Sequence, residues 1–130
     1  MAPDGKNLRD AEDLSQPQWQ DGECQAASIP ADVLAEEARM AADFLKALGH
    51  EGRLMMLYHL CDRDHSVTEL EQLIHSRQAA VSQQLARLRH EKLVSTRREG
   101  NQIFYSLADP KVREMVRVIQ RLFRNHPRRR

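Results

Sequence analysis

One stretch of the chain, SVTELEQLIHSRQAAVSQQLARLRHEKLVSTRREGNQIFYSL at 66–107, limits the fold more than any other. Its first part has two short helical patterns. Ser66 with Glu69, or Thr68 with Glu71, has the spacing of a capping box and starts a helix running through Ile74. Ser76 then caps a longer helix to about Glu91, with Val81, Leu85 and Leu88 inward and Gln78, Ser82, Gln83, Arg87 and Arg89 outward. The second part reads as two β-type runs, Val94–Arg98 and Ile103–Leu107, joined by the turn signal Glu99-Gly100-Asn101-Gln102. Helix, helix, hairpin is the order of a winged helix-turn-helix, which places a helix in the DNA major groove and a wing on the backbone beside it.

The flanks extend this head. Leu34, Ala38, Ala41, Leu45 and Leu48 recur at three- and four-residue steps, so a helix runs from about Ala31 until Gly49 stops it. A second runs from about Glu51 to Cys61, with Leu54, Leu57 and Cys61 on one face and Met55 and Leu60 near it. Asp62–His65 reads as a polar break. Pro110 opens a last helix with the apolar stripe Val112, Met115, Val116, Ile119, Leu122 and Phe123. The expected order is ααααββα, mainly α with a small β-hairpin. Residues 31–124 form this domain, between an acidic, loosely attached extension at 1–30 and a basic tail at 125–130.

Charge supports a nucleic-acid partner once it is read by segment. The net charge of +1 hides a strong asymmetry. Residues 1–43 carry three bases and ten acids, a net −7, and residues 44–130 carry seventeen bases and nine acids, a net +8. A basic domain behind an acidic extension fits a partner with phosphates. No apolar run reaches the roughly 18 residues of a membrane span, and no signal-peptide pattern opens the chain, so a cytoplasmic protein without a membrane partner is expected.

The outward residues suit base reading. Gln can bond adenine through two groups and Arg can do the same with guanine, while Ser and Ala let a helix approach closely. The expected DNA contacts are therefore Ser76, Arg77, Gln78, Ala79, Ser82, Gln83 and Arg87 on the helix, with Arg97, Arg98 and Gln102 on the wing, meeting phosphate or reaching into the minor groove. The stripe on the last helix is either plain core or a dimer seam. The seam is preferred, with Leu34 and Ala38 of the first helix joining Val112, Met115, Val116, Ile119, Leu122 and Phe123. Dimerisation would set two reading helices one DNA turn apart, matching a pseudo-palindromic operator. The chain shows no nucleophile–base pair, no glycine-rich phosphate loop and no ligand cluster, so neither an enzyme nor a cofactor is expected. A winged-helix module working through protein contacts is the alternative class.

The motifs Leu45-Lys-Ala-Leu-Gly-His-Glu-Gly-Arg-Leu-Met55, Ser66-Val-Thr-Glu-Leu70, Gln78-Ala-Ala-Val-Ser-Gln-Gln-Leu-Ala-Arg-Leu-Arg89, Leu93-Val-Ser-Thr-Arg-Arg-Glu-Gly100 and Phe104-Tyr-Ser-Leu107 resemble the ArsR/SmtB family of bacterial repressors. The resemblance spans roughly 33–123. It implies a homodimeric winged-helix repressor that binds operator DNA and releases it to an inducer. The wording is most similar to the sulfide- and persulfide-responsive members, which use one cysteine on the second helix and one near the end of the last. As the motifs align, Tyr58 and Arg124 hold those positions here. The chain's two cysteines lie elsewhere, Cys61 one turn beyond Tyr58 and Cys24 in the extension. Cys61 and Cys24 are thus the candidate sensors for release by a sulfur or redox signal through a non-standard site. The six histidines are scattered without ligand spacing, so no metal site is expected, although a metal-responsive repressor with a non-standard site stays an alternative.

Overall fold

The computed structural model describes residues 26–74 and 78–124, with Gln78 and Ala79 described by backbone alone. The chain divides inside the first described helix, into 1–38 and 39–130. That helix, α1 (Ala31–Leu48), begins where the apolar period begins. The residues that give it the period remain largely uncovered: Leu34 is half-buried and Ala38, Ala41 and Leu45 are exposed. Only Ala47 and Leu48 at its end are buried.

The second unit continues with α2 (Glu51–Asp62), β1 (His65–Ser66), α3 (Val67–Ile74), α4 (Gln78–His90), β2 (Val94–Glu99), β3 (Gln102–Leu107) and α5 (Pro110–Phe123). The order differs from expectation by one element. The polar break at Asp62–His65 ends in a two-residue strand, β1, which pairs antiparallel with β3 through His65–Tyr105 and Ser66–Phe104. The sheet order is β1-β3-β2. A pair of polar residues has no alternating pattern to announce a strand; β1 exists because β3 offers it a partner.

Local chemistry sets each boundary. His50 caps α2, its ring Nδ1 accepting from the Gly52 N–H at 3.0 Å. Of the two capping boxes the sequence offers for α3, the Ser66–Glu69 pair forms. The Glu69 N–H donates to Ser66 Oγ at 3.2 Å, and the Ser66 N–H donates back to Glu69 Oε1 at 3.0 Å. Helix α4 ends in a Schellman arrangement: the Leu93 N–H donates to the Leu88 carbonyl and the Lys92 N–H to the Arg89 carbonyl. Lys92 therefore takes a left-handed φ of 63°. The hairpin turn is tighter than the sequence suggested, with only Gly100 and Asn101 between the strands. Gly100, at φ 63°, holds the first turn position, where a two-residue hairpin favours glycine. Asp109 caps α5 by accepting from the Lys111 N–H at 2.9 Å, with Pro110 at the first helical position.

The core joins Met56, Leu57 and Leu60 of α2, Leu70 of α3, Val81, Leu85 and Leu88 of α4, Leu93, Val94, and Val112 and Val116 of α5. Helix α2 is its hub, touching α3, α4, α5 and β3. Met56, which the assigned face omitted, is fully enclosed while Met55 is exposed. A helix packed on several sides has no single apolar stripe, so periodicity could not choose between the two methionines. The seam assigned to α5 also needs correction. Val112 and Val116 are 0% and 2% exposed, so they belong to the chain's own core and leave no surface for a partner. Leu122 and Phe123, at 60% and 64%, stay open, and Met115 and Ile119 are half-buried.

Candidate nucleic-acid interface

Helix α4 is fixed from beneath and open above. Val81, Leu85 and Leu88 lie three and four residues apart and are completely buried, which orients the rest of the helix. Ser82, Gln83, Ala86, Arg87 and Arg89 are exposed. The outward set assigned from the sequence is thus outward for every described member. Arg87 is held along the surface by Glu91 at 3.4 Å, one turn on. Ser76 and Arg77 lie outside the described residues, as do the side chains of Gln78 and Ala79.

Adjacent glutamines have different work. Gln83 projects freely, whereas Gln84 is half-buried and accepts from Arg53 Nη1 at 2.8 Å. Arg53 also donates to the carbonyls of Lys46 and Ala47 at the end of α1. One guanidinium therefore ties the end of α1, the start of α2 and the middle of α4. Burial, followed by the nearby charge of Arg87, lowers the Arg53 pKa. The His50 ring lies 3.5 Å from the Gln84 amide, completing the tie. Nothing in the spacing of Arg53, His50 and Gln84 marks this group in the sequence, because the residues meet only after folding.

The wing also separates two neighbours. Arg97, expected against phosphate, is already paired within the chain. Its guanidinium bonds to Asp64, to Glu99 at 2.7 Å and to Ser106 at 3.3 Å, and lies 5.0 Å from the centre of the Phe104 ring. It fastens the hairpin to the segment before β1. The two carboxylates raise its pKa, Glu99 foremost. Asp64 is correspondingly held below the usual carboxylate range, by the Ser106 hydroxyl first and then by Arg97. Arg98 falls on the opposite face, is exposed, and makes no ion pair or hydrogen bond among the described residues. Gln102, at the base of the turn, is exposed.

Of the two candidate sensors, Cys24 lies outside the described residues. Cys61 is a free thiol, half-buried between α2 and α5. Burial pushes its pKa up, outweighing the charges of Arg113 and Arg117. That is the reverse of the low thiol pKa that makes a cysteine reactive. His65 is buried at β1, with Nδ1 3.4 Å from Glu69 Oε1 and its ring edge-on to His59 at 6.0 Å. Among the described residues, no three His, Cys, Asp or Glu side chains gather as metal ligands. Nor is any described helix long and apolar enough to cross a membrane.

The geometry has known counterparts. The sequence pattern of the bacterial regulatory proteins of the arsR family matches residues 50–96, from the cap of α2 into β2. The biofilm growth-associated repressor of Agrobacterium fabrum is 40% identical over 95 residues, covering 73% of this chain and 81% of that protein. The crystal structure of the transcriptional repressor BigR from Xylella fastidiosa superposes with a TM-score of 0.68 at 38% identity, covering 73% of this chain and 97% of the other. Reduced HlyU from Vibrio cholerae superposes with a TM-score of 0.67, also at 38% identity, covering 69% and 95%. HlyU is named a transcriptional activator, so relatives sharing one architecture carry both signs of regulation. These relatives are transcriptional regulators rather than enzymes, and the DNA-reading architecture expected of residues 66–107 is the one they share. With a relative at 40% identity of which it covers 81%, the chain belongs to the arsR family of bacterial regulatory proteins.

Proposed function

We propose that the chain is a homodimeric transcriptional repressor that binds a pseudo-palindromic operator. Each α4 enters a major groove and each wing lies on the adjacent backbone. The observation that carries this reading is the two-sided character of α4, with Val81, Leu85 and Leu88 locked into the core and Ser82, Gln83 and Arg87 presented outward. Side chains held in this way can reach base edges without the helix moving, and bidentate pairing by Gln or Arg supplies sequence choice. Arg98 and Gln102 supply the backbone contacts, Arg97 being occupied as a fastener. Pairing of two copies is supported by the apolar surface left on α1, at Met40 and Leu45, and at the end of α5, at Leu122 and Phe123. In a dimer the recognition helices follow the two-fold symmetry of the operator.

The raised thiol of Cys61 speaks against release of DNA through a thiolate at that position. A sulfur or redox signal acting at Cys61 would meet it mainly as the neutral thiol.

Retardation of operator DNA against scrambled DNA, across a salt series, tests the reading. Gln83→Ala should reduce operator affinity by about 1–3 kcal/mol with little effect on scrambled DNA. Arg98→Ala should weaken both and make the salt slope shallower by roughly 0.9 per subunit contact. Equal binding of the native protein to both DNAs would remove base reading and favour a module that works through protein contacts.

A further inference from the structure

Between α2 and α5 lies a cleft of about 300 Å³, away from the reading face. Its lining mixes apolar and cationic side chains. Tyr58 on α2 and Val116 on α5 supply its aromatic and aliphatic lining, and both pack on the core. Arg113 and Arg117, one turn apart on α5, supply its cationic lining, with Gln120 a further turn along. Like charges at this spacing repel and destabilise a helix unless an anion stands between them. Arg113 is partly used, one guanidinium N–H donating to the Cys61 carbonyl. Arg117 has no hydrogen bond or ion pair among the described residues. Asp62 is the single carboxylate on the cleft wall, and it lies within ion-pair distance of neither arginine.

We infer that this cleft binds a small organic carboxylate. Its carboxylate would meet the guanidinium of Arg117 as a bidentate pair with Arg113 beside it, and its apolar body would rest on Tyr58 and Val116. The charge balance selects the class: two guanidiniums less one carboxylate leave a single positive charge, which suits a monoanion better than a phosphate dianion. The volume is at the lower end for small-molecule sites. Cys61, neutral as a thiol, fits the apolar side of such a ligand.

Because α2 also packs on α3 and α4, an occupant of the cleft would press on the helix that carries the reading head. This consequence rests on the DNA-binding proposal; occupancy does not, and is measured separately.

Calorimetric titration of the full chain with benzoate and with butyrate, using benzamide as the neutral analogue, reads occupancy directly. Saturable binding of at least one carboxylate, absent for benzamide, is expected. Arg117→Gln should weaken it about tenfold or more, and Arg117→Lys should keep part of the affinity. Arg117 is exposed, so neither change threatens the fold. Saturation by neither acid at millimolar concentration, equal binding of benzamide, or undiminished affinity in Arg117→Gln would each overturn the inference. If a carboxylate binds while operator retardation is unaffected by it, the site stands and the coupling does not.

Discussion

Arg97 and Arg98 are consecutive in sequence and opposite in role, because side chains on a strand alternate between its faces. Arg97 is drawn into a cluster with Asp64, Glu99, Ser106 and Phe104; Arg98 is left to solvent. The cluster makes a pH-dependent prediction through Asp64. Its folded pKa is depressed, so its contribution to stability is present above the unfolded carboxylate value, near 4, and is lost as pH falls through the folded value. Asp64→Asn should therefore cost up to about 1 kcal/mol at neutral pH, the range for an exposed pair, and the gap should close in acid. Urea unfolding of both proteins at neutral and acidic pH measures this, and a gap independent of pH would mean the carboxylate is not what holds Arg97. Among single residues, legibility followed locality. Ser82 and Gln83 were legible because their outward direction follows from Val81 and Leu85 on the same helix. Arg53 and Asp64 were not, because their partners lie far away in the chain: Gln84 for one, Arg97 and Ser106 for the other.

At the scale of elements, the helices and the hairpin follow from period, caps and turn residues, all local properties. What escaped was β1, which owes its existence to β3, and the buried side of α2, which packs in too many directions to show a stripe. The passage from α4 into the wing turns on Lys92, the one non-glycine residue with positive φ among those described. A left-handed conformation costs an L-residue roughly 1–2 kcal/mol, and glycine avoids most of that. Lys92→Gly should accordingly raise stability by about 0.5–1 kcal/mol, after allowance for the looser unfolded chain. A denaturant midpoint that does not rise would mean that the Lys92 side chain makes a compensating contact.

For the molecule as a whole, the proposed dimer rests on apolar surface that the described residues leave uncovered. Leu122 and Phe123 are too open for a lone chain to leave without consequence, and α1 presents Val33, Met40 and Leu45 as well. Phe123→Asp should shift the protein from dimer to monomer in sedimentation velocity, with operator binding weakened by loss of the paired half-site. A variant that sediments as a dimer would take the end of α5 out of the seam. The sequence showed that an apolar stripe existed on α5 but could not divide it between core and exposed surface. That division depends on α2, which claims Val112 and Val116 and leaves the end of the helix uncovered. The sheet order β1-β3-β2 has a last consequence. Strand β2 pairs on one side only among the described residues, so its other edge is a template on which a second sheet could grow. Ser95, Arg97, Arg98 and Glu99 are all exposed along it, and charged side chains of this kind discourage edge-to-edge growth. The side chains exposed along this edge would thus discourage the free protein from aggregating through it.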